Sequence, residues 1–273
     1  MGSIFLNSLA IILLIKSKSP FNQTIFDKIL ISHCVVDILT GTIDFALFYI
    51  STIFPYWPFN RLTCIFYYSI DNVLATVEIL HMIFMSWVRL RSILSPVKFK
   101  DDLIVVHWYL FVIIFYILAC IFWVPMAVIY ISKDRNERVC SFNLNSKLFS
   151  GVIVLIGWVV PIIIVLIVSF YMIYFLNKRD KINLTKSSIN STNLKSTKYR
   201  KVQLRSQIRL TIIILPFCTQ YLQYSLLWLL SIFCARCISN DSLIKSYLFG
   251  VSVVITNPLI LLIFNYKILL NRK

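Results

Sequence analysis

Long apolar runs separated by short polar stretches dominate the chain, at about 27 to 54, 62 to 88, 104 to 132, 149 to 176, 210 to 234 and 243 to 266, with a shorter one at 2 to 15. All but the last exceed the roughly 20 residues an α-helix needs to cross a bilayer. In hydrocarbon every backbone N–H and C=O must find a partner within the chain. Runs this long do so as helices, not as the roughly 10-residue alternating strands of a barrel. The pattern predicts an all-α membrane protein: a seven-helix bundle in one domain over 1–273, its first helix short or truncated.

Composition excludes the other broad classes. With 59% hydrophobic and 14% charged residues and a mean hydropathy of +0.83, the chain is too apolar for a soluble domain and far too apolar for a disordered one. The net charge of +16 follows the topology. With the N-terminus outside and the C-terminus cytosolic, twenty Lys and Arg fall on the inner side and seven on the outer, as the positive-inside rule requires. Anionic membrane lipid accounts for the basic inner face, and no nucleic-acid partner is needed. The one long polar segment, 177–209, is expected to be a basic cytosolic loop whose ends continue the flanking helices.

The third run carries the most informative pattern. Asp71, Glu78 and Arg89 are separated by 7 and 11 residues, which puts all three within roughly 20° of one helix stripe. Charge in a membrane is costly, so such a stripe faces the bundle interior or a water-filled cavity. Asp71 belongs near the outer mouth and Arg89 near the cytosol. Counting from the inner-edge bases places Asn7, Asp37, Glu78 and Asn257 at one depth, roughly 13 to 16 Å inside. Buried acids there need a partner, and a small cation or a shared proton would serve.

Together these landmarks resemble the rhodopsin-like family of G-protein-coupled receptors. "SWVRLRSILSP" is similar to the Asp-Arg-Tyr box and following loop of that family, with Arg89 as its arginine and Pro96 as its proline, while Val88 and Leu90 replace the usual acid and tyrosine. "WPFNRLTC" matches the first outer loop through Trp57, Phe59 and Cys64. Asn7, Asp37 and Pro161 stand as the family's helix-one, helix-two and helix-five markers, and "NPLILLIFN" supplies Asn257, Pro258 and Asn265. Ser169 and Leu261 replace two customary tyrosines. Helix six, "ILPFCTQYLQY", has Thr219 and Tyr221 where the customary Trp and Pro would fall.

The resemblance implies a Cys64–Cys140 disulfide, ligand contact at Asp71 and Tyr247, a sodium or proton pocket at Asp37, Glu78 and Asn257, and coupling through Arg89, Pro96, Asn257 and Pro258. It implies no catalytic residue and no cofactor beyond sodium held by Asp37 and Glu78. His81 is expected to be a satisfied packing histidine. Val251 replaces a tyrosine that often supports the aspartate, and Ile153, Val154 and Gly157 replace serines expected in a catecholamine receptor. A peptide-type ligand is therefore expected ahead of an amine. Cys234 and Cys237, in "CARC", form a short-range disulfide or stay free; no second ligand pair makes them a zinc site. The expected function is a plasma-membrane receptor, with an extracellular small-molecule or peptide ligand and a heterotrimeric G protein as partners. The alternative, an ion- or proton-coupled transporter using the midplane acids, would carry repeats or broken helices in corresponding places.

Overall fold

The computed structural model describes residues 2–17, 25–54, 57–94, 106–131, 140, 147–187, 194–234 and 237–270. Pro96 lies outside them. Helix α1 is Gly2–Ser17; α2 is Ile25–Leu39, continued by a π turn at Thr40–Asp44 into Phe45–Ile53; α3 is Arg61–Leu94; α4 is Trp108–Tyr130. Helix α5 runs through Lys147–Val154, a π turn at Leu155–Val159 and Val160–Ser187; α6 is Leu194–Phe233; α7 is Asn240–Val251 and Val253–Leu270, broken at Ser252. Both α5 and α6 run into the polar 177–209 segment. Five helical stretches among the described residues are long and apolar enough to cross a membrane: Ile25–Ile53, Arg61–Ser92, Trp108–Tyr130, Lys147–Phe175 and Asp241–Ile263; Gly2–Lys16 is a shorter apolar helix.

The bundle is apolar outside as well as in its core, and its membrane-depth ionisable side chains are turned inward, unlike those of a soluble protein. Helix α4 shows this most clearly. Ile113, Ile117, Ile121 and Ile129 are exposed, and its buried strip is Ala119, Trp123 and Ala127. These recur every four residues, so they share one face. Two alanines let α4 lie close to α3, and Trp123 Nε1 donates to Thr76 Oγ1 at 2.7 Å. Helix α3 is the central post, with Val77, Ile79, Met82 and Met85 buried beside the polar Glu78 and His81.

The π turns have local causes. Pro161 has no N–H to give to the Gly157 carbonyl four residues back, and the helix widens one turn before it, with Val160 N–H bonded to Leu155 O. That extra residue sits beside Trp158, which is buried against Tyr221, Tyr224 and Trp228 of α6 at ring distances of 6.2, 5.9 and 5.9 Å. In α2, Thr42 Oγ1 donates to Ile38 O at 2.7 Å, so the hydroxyl serves a carbonyl beside the widened turn. Gly41 lies there because a Cβ would meet the Ser3 Cβ of α1 at 2.7 Å.

Candidate functional site

At the outer end, Cys64 at the start of α3 is bonded to Cys140, with Cα atoms 5.7 Å apart. Tyr68 Oη donates to the Cys140 carbonyl at 3.3 Å. Trp57 stacks on Tyr67 at 5.6 Å and meets Phe59 edge-on at 5.5 Å, so the Trp-x-Phe segment folds over the top of α3. Cys234 and Cys237 are also bonded to each other.

Beneath this cap α2, α3 and α7 converge. Tyr247 Oη of α7 lies 2.9 Å from Asp44 Oδ2 and 3.4 Å from Asp71 Oδ1. Its ring stacks on Phe48 at 4.0 Å and meets Tyr224 edge-on at 5.5 Å. Tyr247 stands one turn from Val251 and brings a phenol to Asp71 although Val251 cannot. Asp44 Oδ1 is buried and accepts no hydrogen bond. A cavity with about 10 Å³ of free volume is lined here by Thr40, Asp44, Asp71, Trp158, Tyr221 and Tyr247, among others. Sequence reasoning missed Asp44, although it follows Asp37 by the same seven residues that separate Asp71 from Glu78.

One level deeper, the acids part company. Glu78, wholly buried, accepts from Thr40 Oγ1 at 2.8 Å through Oε1 and from Tyr221 Oη through Oε2. Both partners are hydroxyls, so Glu78 has donors of its own. Asp37, also wholly buried, accepts no hydrogen bond at either carboxylate oxygen. His33 Nε2 is 3.8 Å from Asp37 Oδ1 and 3.3 Å from Asn257 Nδ2, an amide donor from which it accepts as a neutral ring. His33 was absent from the expected site. Its sequence signal was the four-residue spacing to Asp37. His81 is satisfied on both nitrogens, 2.8 Å from Val77 O and 3.0 Å from Ser32 Oγ, as a packing histidine should be.

Asn7 and Pro258 belong to one arrangement. Proline at 258 cannot donate to the Val254 carbonyl four residues back. Asn7 Nδ2 of α1 donates to that carbonyl instead, at 2.9 Å, and also to Ser3 O at 3.0 Å. A buried carbonyl freed by a proline is thereby satisfied by a neighbouring helix. The carboxamide oxygens of Asn7 and Asn257 accept no hydrogen bond.

Helix six also resolves its register. Thr219 points outward, whereas Phe217, Cys218 and Tyr221 are buried, so Tyr221 is the residue α6 sends to Glu78. Gln220 Nε2 donates to Ser252 Oγ at 3.0 Å, joining α6 to the break in α7.

At the inner end Arg89 is only 8% exposed, and its guanidinium carbon lies 3.5 Å from the centre of the Phe26 ring at the start of α2. Val88 is buried beside it. An aromatic face from α2 thus meets the arginine that follows Val88 in the chain.

Apolar helices with polar and ionisable groups turned inward define a multi-pass membrane protein. Residues 6–261 match the 7 transmembrane receptor (rhodopsin family), and the chain belongs to that family. This is a family of receptors, not enzymes. The chain is also similar to the muscarinic acetylcholine receptor DM1 of Drosophila melanogaster, 28% identical over 78 residues. The similarity covers 29% of this chain and 10% of that relative, so the chain spans only a small part of its length.

Proposed function

We propose that the chain is a single seven-span plasma-membrane receptor domain, N-terminus outside and C-terminus cytosolic, that binds an extracellular ligand and activates a heterotrimeric G protein. The carrying observation is the group of Asp71, Tyr247 and Asp44 buried beneath the Cys64–Cys140 cap. Carboxylates removed from water favour a cationic ligand group, although desolvation offsets much of the Coulomb gain. The buried apolar side chains of Ile153 and Val154 on α5 offer nothing to a catechol. A peptide with a basic group is therefore preferred to a catecholamine, and acetylcholine, named for the distant relative, is not carried over.

The sodium reading rests on buried oxygens. Both oxygens of Asp37 and the carboxamide oxygens of Asn7 and Asn257 lack donors, and hard cations take oxygen ligands. In this reading Asp37 would supply the charge once a cation is bound, while Glu78 keeps its hydroxyl donors from Thr40 and Tyr221. Twenty inner basic residues, including those of 177–209, would face anionic lipid and the G protein.

Arg89→Ala tests the assignment. Ligand binding should persist while G-protein activation, followed by a second-messenger readout in cells, is lost. Activation equal to wild type at equal surface expression would overturn the coupling role.

A further inference from the structure

We propose that the Cys234–Cys237 disulfide is a thiol-exchange site: an external dithiol opens it while Cys64–Cys140 stays closed, so the link between α6 and α7 is switched without loss of the bundle. This goes beyond the receptor reading above and does not depend on it.

The bond occupies the connection between two helices. Helix α6 ends at Phe233 and α7 begins at Asn240. Cys234 gives its N–H to Leu230 O at 2.8 Å, and Cys237 gives its own to Cys234 O at 3.0 Å, so the two cysteines close a turn directly off the last turn of α6. Ser239 follows and caps α7, its Oγ accepting from Ser242 N–H at 3.2 Å. Both helices line the outer cavity, α6 through Tyr221 and Tyr224 and α7 through Tyr247 and Val251. Opening the bond frees the connection that holds their outer ends together.

Accessibility separates the two disulfides. Cys237 is exposed and Cys234 half-buried, whereas Cys64 is 3% exposed and packs with Trp57, Tyr67, Ala127 and Ile131. Exchange requires a thiolate to reach a sulfur, so access decides which bond reacts. Arg236, which stands between the two cysteines in the sequence, adds the positive charge that favours a thiolate. Loop length points the same way. A disulfide stabilises a fold mainly by closing a long loop in the unfolded chain. Cys234 and Cys237 are 3 positions apart and Cys64 and Cys140 are 76 apart, so the exposed bond is the one the fold can lose.

The exchange balances in two steps. A thiolate of the reductant attacks Cys237 Sγ, the S–S bond breaks, and Cys234 leaves as a thiolate that takes up a proton. The second thiolate of the reductant then displaces Cys237, which takes up the other proton. Two electrons reach the chain, and the reductant ends as a disulfide. The fitting partner is therefore a dithiol, whether of a protein oxidoreductase or of a small molecule.

Timed reduction of the purified full chain in detergent tests it, with dithiothreitol and with reduced thioredoxin at equal dithiol concentration. Samples are quenched in acid, alkylated with N-ethylmaleimide in denaturant and mapped by peptide mass. Cys34, Cys120 and Cys218, which are free, label from the start. Cys234 and Cys237 should then appear together, at least about tenfold sooner than Cys64 and Cys140. The faster of the two reductants identifies the source, protein or small molecule. Equal rates for the two disulfides, or Cys64–Cys140 opening first, would overturn the proposal, as would Cys234 and Cys237 labelling as free thiols at time zero. Hydrogen exchange on the chain reduced at 234 and 237 should rise severalfold in peptides covering 230–243 and stay unchanged in those covering 61–70. Exchange that is the same before and after reduction would leave no switch and overturn it too. Cys237→Ser, which removes the bond beforehand, should show the fast exchange with and without dithiol. No step reads ligand binding or signalling, so the result stands apart from Arg89-dependent coupling.

Discussion

Removing the Tyr221 hydroxyl should loosen α6 from α3 at the centre of the bundle. Tyr221 is 4% exposed and Glu78 is wholly buried, and the phenol donates directly to the carboxyl. Interhelical hydrogen bonds in membranes average only about 0.6 kcal/mol in double-mutant cycles, with a maximum near 1.7. This one should lie at the upper end, because a carboxyl acceptor makes a stronger bond than a neutral one and neither partner can turn to water. A coupling of about 1–2 kcal/mol is expected. The cycle consists of Tyr221→Phe, Glu78→Leu and the double variant, each followed by thermal unfolding in detergent. Tyr221→Phe alone should lower the midpoint by roughly 2–8 °C for this coupling in a chain of this size. Glu78→Leu should cost more, since it leaves both Tyr221 and Thr40 without their acceptor. The double variant should be less destabilised than the two single costs combined. Additivity within about 0.5 kcal/mol would refute the argument and leave Tyr221 as packing only.

Three further outcomes follow from other contacts. Gly41→Ala should destabilise the fold by about 1–3 kcal/mol, because the new methyl meets Ser3 Cβ at 2.7 Å; a midpoint unchanged in thermal unfolding would show that α1 moves away at no cost. Phe26→Leu, by removing the aromatic face under Arg89, should raise ligand-independent signalling by about 2- to 5-fold, as expected from a contact of about 0.5–1 kcal/mol; basal signalling at or below wild type would count against this contact as a resting restraint. Asp37→Asn should abolish the dependence of agonist affinity on sodium, measured by competition binding across sodium concentrations; a wild-type affinity that is flat in sodium would make Asp37 a structural acid.

Much of the architecture was legible in one dimension because a bilayer imposes a simple rule. Backbone groups must be satisfied within each helix, and the segments must be long and apolar. Length and hydropathy are therefore enough to delimit the runs, and the described helices cover them, with α5 and α6 extending well into the polar 177–209 segment. The 3.6-residue period likewise put Asp71, Glu78 and Arg89 on one stripe of α3, and that stripe faces the interior. The bond between the cysteine at the start of α3 and Cys140 was also reachable, as an implication of the family resemblance.

What tertiary structure alone decided was which polar group meets which. Depth along a helix can be counted from sequence, but rotation about its axis cannot once a π turn adds a residue, as at Thr40–Asp44 and Leu155–Val159. Equal depth suggested that Asp37 and Glu78 would share a partner. Which donors each acid meets could not be counted: Glu78 has two hydroxyls, one from Thr40 and one from Tyr221, 143 residues away, and Asp37 has none. The pairing of Asn7 with the Val254 carbonyl was equally hidden, because Pro258 frees that carbonyl while a helix 247 residues distant in sequence supplies the donor. Asp44 had the right period to be noticed, but its convergence with Asp71 on Tyr247 exists only where α2, α3 and α7 come together. Hydrophobic periodicity records which face of a helix avoids lipid; the identity of the neighbour on that face is set by packing between segments far apart in the chain.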